Sequence, residues 1–129
     1  MPGELILIVE DNPLNMKLLR DVLEAKGYEV VETTTAEEGI ELARARPPAL
    51  VLMDIQLPGM DGTTARRELR KYPETADIPV IAVTASAMPL ERAAILEAGF
   101  DGYQAKPISV KDLLQELRAL IGSAPGTSD

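Results

Sequence analysis

Five short apolar runs, each separated from the next by a single helical pattern, constrain this chain more than any other feature. They lie at 5–9 (LILIV), 28–32 (YEVVE), 49–53 (ALVLM), 79–83 (PVIAV) and 102–105 (GYQA). The first, third and fourth carry no charge, as strands covered on both faces do. Proline at 79 is acceptable as the first residue of a strand.

The intervening segments read as helices. Asn12 is placed to cap the first, Pro13 to occupy its first turn and Gly27 to end it. Leu14, Leu18 and Val22, with Leu19 and Leu23, form its apolar stripe. A second helix, 36–45, turns Ile40 and Ala43 inward and stops at Pro47-Pro48. A third runs from about 63 to 71 after a loop containing Pro58, Gly59 and Gly62, and a fourth over 88–98, closed by Gly99. The fifth starts at about 109 and carries Val110, Leu113, Leu114, Leu117 and Ile121 at helical spacing. Strict alternation of buried strands and helices predicts an α/β fold, a parallel sheet with helices on both faces. The 129 residues suit one domain, 1–121, followed by a short flexible tail, 122–129, of small and polar residues.

Composition then removes whole classes of chemistry. There is no cysteine and no histidine. Disulfides, thiol nucleophiles, imidazole bases and nearly all transition-metal sites are excluded with them. What remains is carboxylates, lysine, hydroxyls, backbone groups and hard cations. A net charge of −8, from 21 acidic and 13 basic residues, argues against direct nucleic-acid binding. The apolar run at 5–9 is too short for a signal peptide or a membrane span. The expectation is a cytoplasmic protein with no membrane contact.

In open parallel sheets, ligands bind beyond the carboxyl ends of the strands. The residues there are Glu10 and Asp11 after the first strand, Asp54 after the third, Thr84 after the fourth and Lys106 after the fifth. Three gathered carboxylates raise one another's pKa unless a cation neutralises them. An all-oxygen set suits Mg²⁺, or Mn²⁺ in its place, with Asp11, Asp54 and the backbone carbonyl of Gln56 as ligands. Glu10 is expected farther out, holding a metal-bound water. Lys106 and Thr84 are suited to the equatorial oxygens of a transferring phosphoryl group, and Asp54 to the in-line nucleophile. Lys106-Pro107 is a candidate cis bond that aims the lysine inward. Taken singly, each residue has an ordinary reading: Asp11 as a turn former, Lys106 as a solvated loop residue, Thr84 as a strand end. Their joint occurrence on one rim favours the functional reading.

The stretches ILIVEDN, VLMDIQLPGMDG, IAVTASA and GFDGYQAKPI resemble the receiver domains of two-component response regulators, from about Leu5 to Ile121. The resemblance implies a doubly wound five-stranded sheet of order 2-1-3-4-5 with five helices. It makes Asp54 the phosphoacceptor, Glu10 and Asp11 the acidic pair at the metal, and Lys106 the ionic partner. Thr84 and Tyr103 become the switch residues and Ala85 the small neighbour of the acceptor. Gln56 and Ser86 fall at positions that tune the dephosphorylation rate. The implied partners are a histidine kinase or histidine phosphotransfer protein, docking near the first helix, and a downstream protein at the surface of helix four, strand five and helix five. The fourth helix has few core anchors, which suits an output element free to shift and equally an ordinary peripheral helix.

Three rival readings accompany this one. A Mg²⁺-dependent aspartyl phosphatase of the haloacid-dehalogenase type needs a second Asp two residues after the nucleophile, where this chain has Gln56. A flavin carrier of the same fold needs a phosphate loop where Glu10 and Asp11 stand. A receiver excised from a hybrid histidine kinase shares the chemistry but not the stand-alone role, which is preferred here because the chain has its own Met1 and a tapering tail.

Overall fold

The hydrophobic alternation within each strand decides the layering. In a computed structural model, which describes residues 4–57, 59–60, 62–85 and 89–121 (backbone only for 89–91), the order is β1 (Leu5–Val9), α1 (Pro13–Ala25), β2 (Glu29–Thr33), α2 (Ala36–Ala45), β3 (Leu50–Asp54) and α3 (Gly62–Arg70). It continues with β4 (Val80–Thr84), α4 (Pro89–Glu97), β5 (Gly102–Ala105) and α5 (Val110–Ile121). All neighbouring strands pair in parallel, in the order β2-β1-β3-β4-β5. Successive side chains of a strand point to opposite faces. Ile6 and Ile8 of β1, Leu50 and Leu52 of β3, and Ile81 and Val83 of β4 therefore meet α1 and α5 through Met16, Leu19, Leu23, Leu113 and Leu117. Leu7, Val9, Val51, Met53, Val80 and Ala82 meet the opposite layer through Ile40, Ala43, Ala65, Leu69 and Ile95.

The chain leaves β1 toward β2 and returns past it to β3, so the direction of winding reverses between β1 and β3. Crossovers of one hand then put α1 on one face and α2, α3 and α4 on the other. The crevice at such a reversal is where this class of sheet binds ligands.

Local signals act largely as read. The Asn12 side chain accepts from the N–H groups of Leu14 and Asn15, with Pro13 in the first turn, and Gly27 follows the helix at a φ of 93°. Thr35 caps α2 in the same way by accepting from Glu38 N–H. The stripe on α1 needs correction: Leu14 and Leu18 are 78% and 38% exposed, and the buried residues are Met16, Leu19 and Leu23. Every candidate was apolar, so spacing alone did not fix the rotation of the helix; the face that Leu19 and Leu23 press on Ile6 and Ile8 does. Val110 likewise lies outside the α5 stripe. Ile95 is buried and Leu96 exposed on α4, whereas Met88 and the side chain of Leu90 lie outside the described residues, as does the segment 122–129.

Candidate functional site

Strand ends at the reversal point deliver the acidic groups. Asp54 is the last residue of β3 and Glu10 the first after β1, and both are buried. The Glu10 backbone N–H donates to Thr33 carbonyl at 3.1 Å, which continues the β1–β2 pairing by one residue and holds the side chain inward. Its Oε2 accepts from Asn12 N–H at 3.0 Å, so the loop into α1 is tied to the same carboxylate. Asp11 beside it is exposed. On the other strand, Asp54 Oδ1 accepts from Gln56 N–H at 2.8 Å.

Lys106 reaches this pair from the loop after β5. Its peptide bond to Pro107 is cis, and its backbone N–H donates to Thr84 carbonyl at 2.7 Å. Its Nζ donates to Asp54 Oδ2 at 2.9 Å and to Glu10 Oε2 at 3.2 Å, with a side chain only 18% exposed. Glu10 Oε1 is also 3.0 Å from Nζ, yet it lacks the alignment for a hydrogen bond and is fully buried without one. Burial lifts the Glu10 carboxyl above the usual carboxylate value, against the Asn12 N–H and the Lys106 ammonium, which pull it down. Burial alone would lower Lys106, but its hydrogen bonds to Asp54 and Glu10 outweigh that and raise it.

One carboxylate oxygen from each of Glu10, Asp11 and Asp54 lies within 4.8 Å of the others. With a single ammonium facing them among the described residues, the negative charge is incompletely neutralised. The donor set is entirely oxygen, and one buried oxygen has spare bonding capacity. A hard divalent cation fits such a set, and soft or nitrogen-seeking metals do not.

The remaining residues named from sequence are placed as follows. Thr84 is buried at the end of β4, next to Ala85, which is exposed. Gln56 is exposed beside Asp54. Tyr103 is half-buried on β5 and packs on the layer that holds α2, α3 and α4. Ser86 lies outside the described residues.

Four contacts escaped the sequence. The Arg92 guanidinium lies over the Tyr103 ring, 5.4 Å from its centroid. Glu116 of α5 accepts from Gln104 Nε2 at 2.8 Å and from Tyr103 N–H at 3.3 Å. Gln56 Oε1 accepts from Ala85 N–H at 3.5 Å. For Glu116 a signal existed in Gly102: a Cβ there would stand 2.5 Å from the Glu116 carboxyl carbon, so the missing side chain makes room for the carboxylate. Arg92, Tyr103, Gln104, Asp112 and Glu116 share the lining of an open groove of about 600 Å³ between β5, α4 and α5.

Comparison with known proteins agrees with this geometry. Residues 6–118 match the family described as response regulator receiver domain. The chain is 45% identical over 119 residues to the polar-differentiation response regulator DivK of Brucella ovis, and equally to that of Brucella anthropi, covering 92% of this chain and 97% of each relative. Among solved structures it resembles the receiver domain of a sensor histidine kinase from Pseudomonas aeruginosa PAO1, which has a magnesium ion coordinated in its active site cleft. The TM-score is 0.86 at 36% identity, over 94% of this chain and 99% of that one. A CheY-like receiver domain protein from Methanospirillum hungatei gives 0.80 at 34% identity, over 90% and 91%.

Proposed function

The chain belongs to the response regulator receiver domain family, and from that premise we propose that it is a phosphorelay switch that takes a phosphoryl group from a phosphohistidine onto Asp54. The observation that carries this reading is the junction of Asp54, Glu10 and Lys106 at the reversal point of the sheet, with Asp11 at its mouth.

Asp54 supplies the nucleophile. A carboxylate oxygen forms the new P–O bond, while the donor's P–N bond breaks and its electrons stay on the imidazole, which is protonated from solvent. Lys106, raised in pKa and hence cationic at neutral pH, leaves its Asp54 contact for the incoming phosphoryl oxygens. Asp11, Asp54 and the Gln56 carbonyl would hold Mg²⁺ or Mn²⁺, with Glu10 holding a metal-bound water, a reading that the magnesium ion in the Pseudomonas neighbour supports. When bound, the cation neutralises charge that develops on the phosphoryl oxygens.

The downstream half of the switch runs through Thr84 and Tyr103. The Lys106 backbone N–H donates to the Thr84 carbonyl, which joins the hydroxyl-bearing strand end to the lysine loop. Tyr103, lying between the core and Arg92, has two environments to choose from and biases the surface of α4, β5 and α5 that a partner protein reads. Gln56 and Ser86 set how fast water removes the phosphoryl group. The donor is a histidine kinase or histidine phosphotransfer protein that approaches over α1, where Leu14 and Leu18 are exposed one turn apart.

Intact mass after incubation with acetyl phosphate tests the reading. One phosphoryl adduct is expected, dependent on Mg²⁺ and absent in Asp54→Asn. An adduct that persists in Asp54→Asn would move the acceptor elsewhere, and steady release of phosphate from monoesters would favour a phosphatase instead.

A further inference from the structure

We propose that Arg66 of α3 is the pivot of α4: its guanidinium fixes the C-terminal end of that helix through Gly99, so that phosphorylation swings the first turn of α4 while the last turn stays in place. The inference rests on the reading of Asp54 as the phosphoacceptor. It gives a positioning role to a residue outside the acidic rim.

Gly62, Arg66 and Arg70 recur at every fourth residue of α3 and so share one side of it. At the acceptor end, Gly62 N–H donates to Ile55 carbonyl at 3.4 Å. One turn on, Arg66 Nε donates to Gly99 carbonyl at 2.7 Å. A Cβ on Gly99 would stand 2.4 Å from one guanidinium nitrogen and 2.5 Å from the guanidinium carbon, so the cation lies where a side chain would be. Glycine meets a second demand there, since its φ is 98°. Another turn on, Arg70 donates to Ile78 carbonyl at 2.9 Å and to Asp101 Oδ2 at 3.2 Å, and the same oxygen accepts from Val80 N–H at 2.8 Å. The helix that carries Arg66 is thereby fastened to the segments that open β4 and β5.

Among the described residues, the core anchors of α4 cluster at its C-terminal end. Arg92, Ala93 and Ala94 are exposed, whereas Ile95 and Phe100 are buried and Ala98 packs on the same core. The last turn has no basic residue of its own. Carbonyls at a helix C-terminus lack helical partners, and a cation beside them also suits the helix dipole. Arg66 supplies both from a neighbouring helix, through a hydrogen bond of the stronger, charge-assisted kind. Because β4 ends beside the acceptor strand, α4 starts at the acceptor edge of the sheet and ends at the opposite edge. Pro89 stands about 15 Å from Gly99 along the helix axis, so a tilt of about 10° at the pivot carries the first turn about 2.6 Å. That tilt draws Arg92 across the Tyr103 ring, whose centroid lies 5.4 Å from it. A helix held at one end reorients when the other end is pushed, whereas a helix held at neither end slides.

Amide exchange and amide shifts, read residue by residue by NMR, test the pivot in wild type, Arg66→Met and Arg67→Met. Methionine keeps a long flexible side chain and removes the donors, and Arg67, exposed on the same helix, controls for the lost charge. Gly99 N–H donates to Leu96 carbonyl at 3.0 Å and reports the last turn. In metal-free, unphosphorylated protein it should exchange roughly tenfold faster in Arg66→Met and within about twofold of wild type in Arg67→Met. With Mg²⁺ and excess acetyl phosphate, wild-type shifts should change at 92–94 and stay nearly fixed at 98–99, whereas in Arg66→Met the change should extend through 99. Unchanged Gly99 exchange in Arg66→Met, or equal acceleration in Arg67→Met, would overturn the proposal. So would wild-type changes at 98–99 as large as those at 92–94, an outcome that needs no variant to fold and means that α4 moves as a body. Failure of the wild-type chain to form an adduct by intact mass would overturn the phosphoacceptor reading and the pivot with it. Gly99 exchange distinguishes that outcome, because it reports the hold of Arg66 on α4 without any phosphorylation.

Discussion

Glu10 shows how a single residue can carry a cost that function imposes. Its carboxyl is buried beside the Lys106 ammonium that it shares with Asp54, and burial raises its pKa above the ordinary 4.5. The folded chain therefore holds this proton more tightly than the unfolded chain does. The resulting contribution to stability is fully present below 4.5 and is lost as pH rises through the raised folded value. In metal-free protein, the unfolding free energy of wild type relative to Glu10→Gln should fall as pH increases from about 4.5 and level off beyond the folded pKa. Urea titrations across that range measure it, and a difference independent of pH would contradict it. Lys106 does not interfere, since its raised pKa keeps its contribution intact below 10.5. Gly62 is a second residue under constraint. A Cβ there would stand 2.7 Å from Ile55 Cα and 3.1 Å from Asp54 carbonyl oxygen. Gly62→Ala forces that backbone apart at a cost of about 1–3 kcal/mol, of which better helix propensity returns up to about 1. Net destabilisation is expected by urea titration, together with slower adduct formation as the Asp54–Ile55 peptide shifts. A neutral or stabilising result would show that α3 is free to move away.

At the scale of elements, strand positions were legible to within one residue, for β1, β3 and β4 because a run of uncharged aliphatic residues has few alternatives in a parallel sheet. Helix starts were legible where a cap states them, as Asn12-Pro13 does for α1. The rotation of α1 was not. Seven apolar residues on a 13-residue helix fit more than one stripe, and only the opposing sheet selects Met16, Leu19 and Leu23. The gathering of Glu10, Asp11, Asp54 and Lys106 on one rim could be anticipated, since strand direction alone sends their ends to the same side. The reach of Gln56 to Ala85 and of Glu116 to Tyr103 could not, because each depends on a side-chain conformation across two elements. The two classes of leucine on α1 should respond oppositely. Leu19→Ala should cost about 2–5 kcal/mol by opening a cavity against Ile6 and Ile8, whereas Leu14→Ala should lie within about 0.5 of wild type. Loss of the cap in Asn12→Ala should cost about 1 kcal/mol. Chemical denaturation of the three variants separates these outcomes, and equal losses at Leu14 and Leu19 would mean that α1 sits in another register.

For the whole molecule, the acidic rim opposes the fold that displays it. The chain carries a net charge of −8, and Glu10, Asp11 and Asp54 bring carboxylate oxygens within 4.8 Å with one ammonium between two of them. Hydrophobic burial on both faces of the sheet holds these groups together; their mutual repulsion is relieved on unfolding. A cation that binds only the folded arrangement must then stabilise it. At a free concentration about 100 times its Kd the gain is about 2.7 kcal/mol, or roughly a 10 °C rise in Tm for a domain of this size. Asp11→Asn separates the two effects, because Asp11 is exposed and contributes charge without filling the core. Removing its charge should raise the Tm of the metal-free protein and abolish most of the rise on adding Mg²⁺. Scanning calorimetry with Mg²⁺, and with NaCl at matched ionic strength, isolates specific binding from screening. If NaCl reproduced the effect, or if Asp11→Asn responded to Mg²⁺ as wild type does, the three carboxylates would be acting as a diffuse field and not as a metal site.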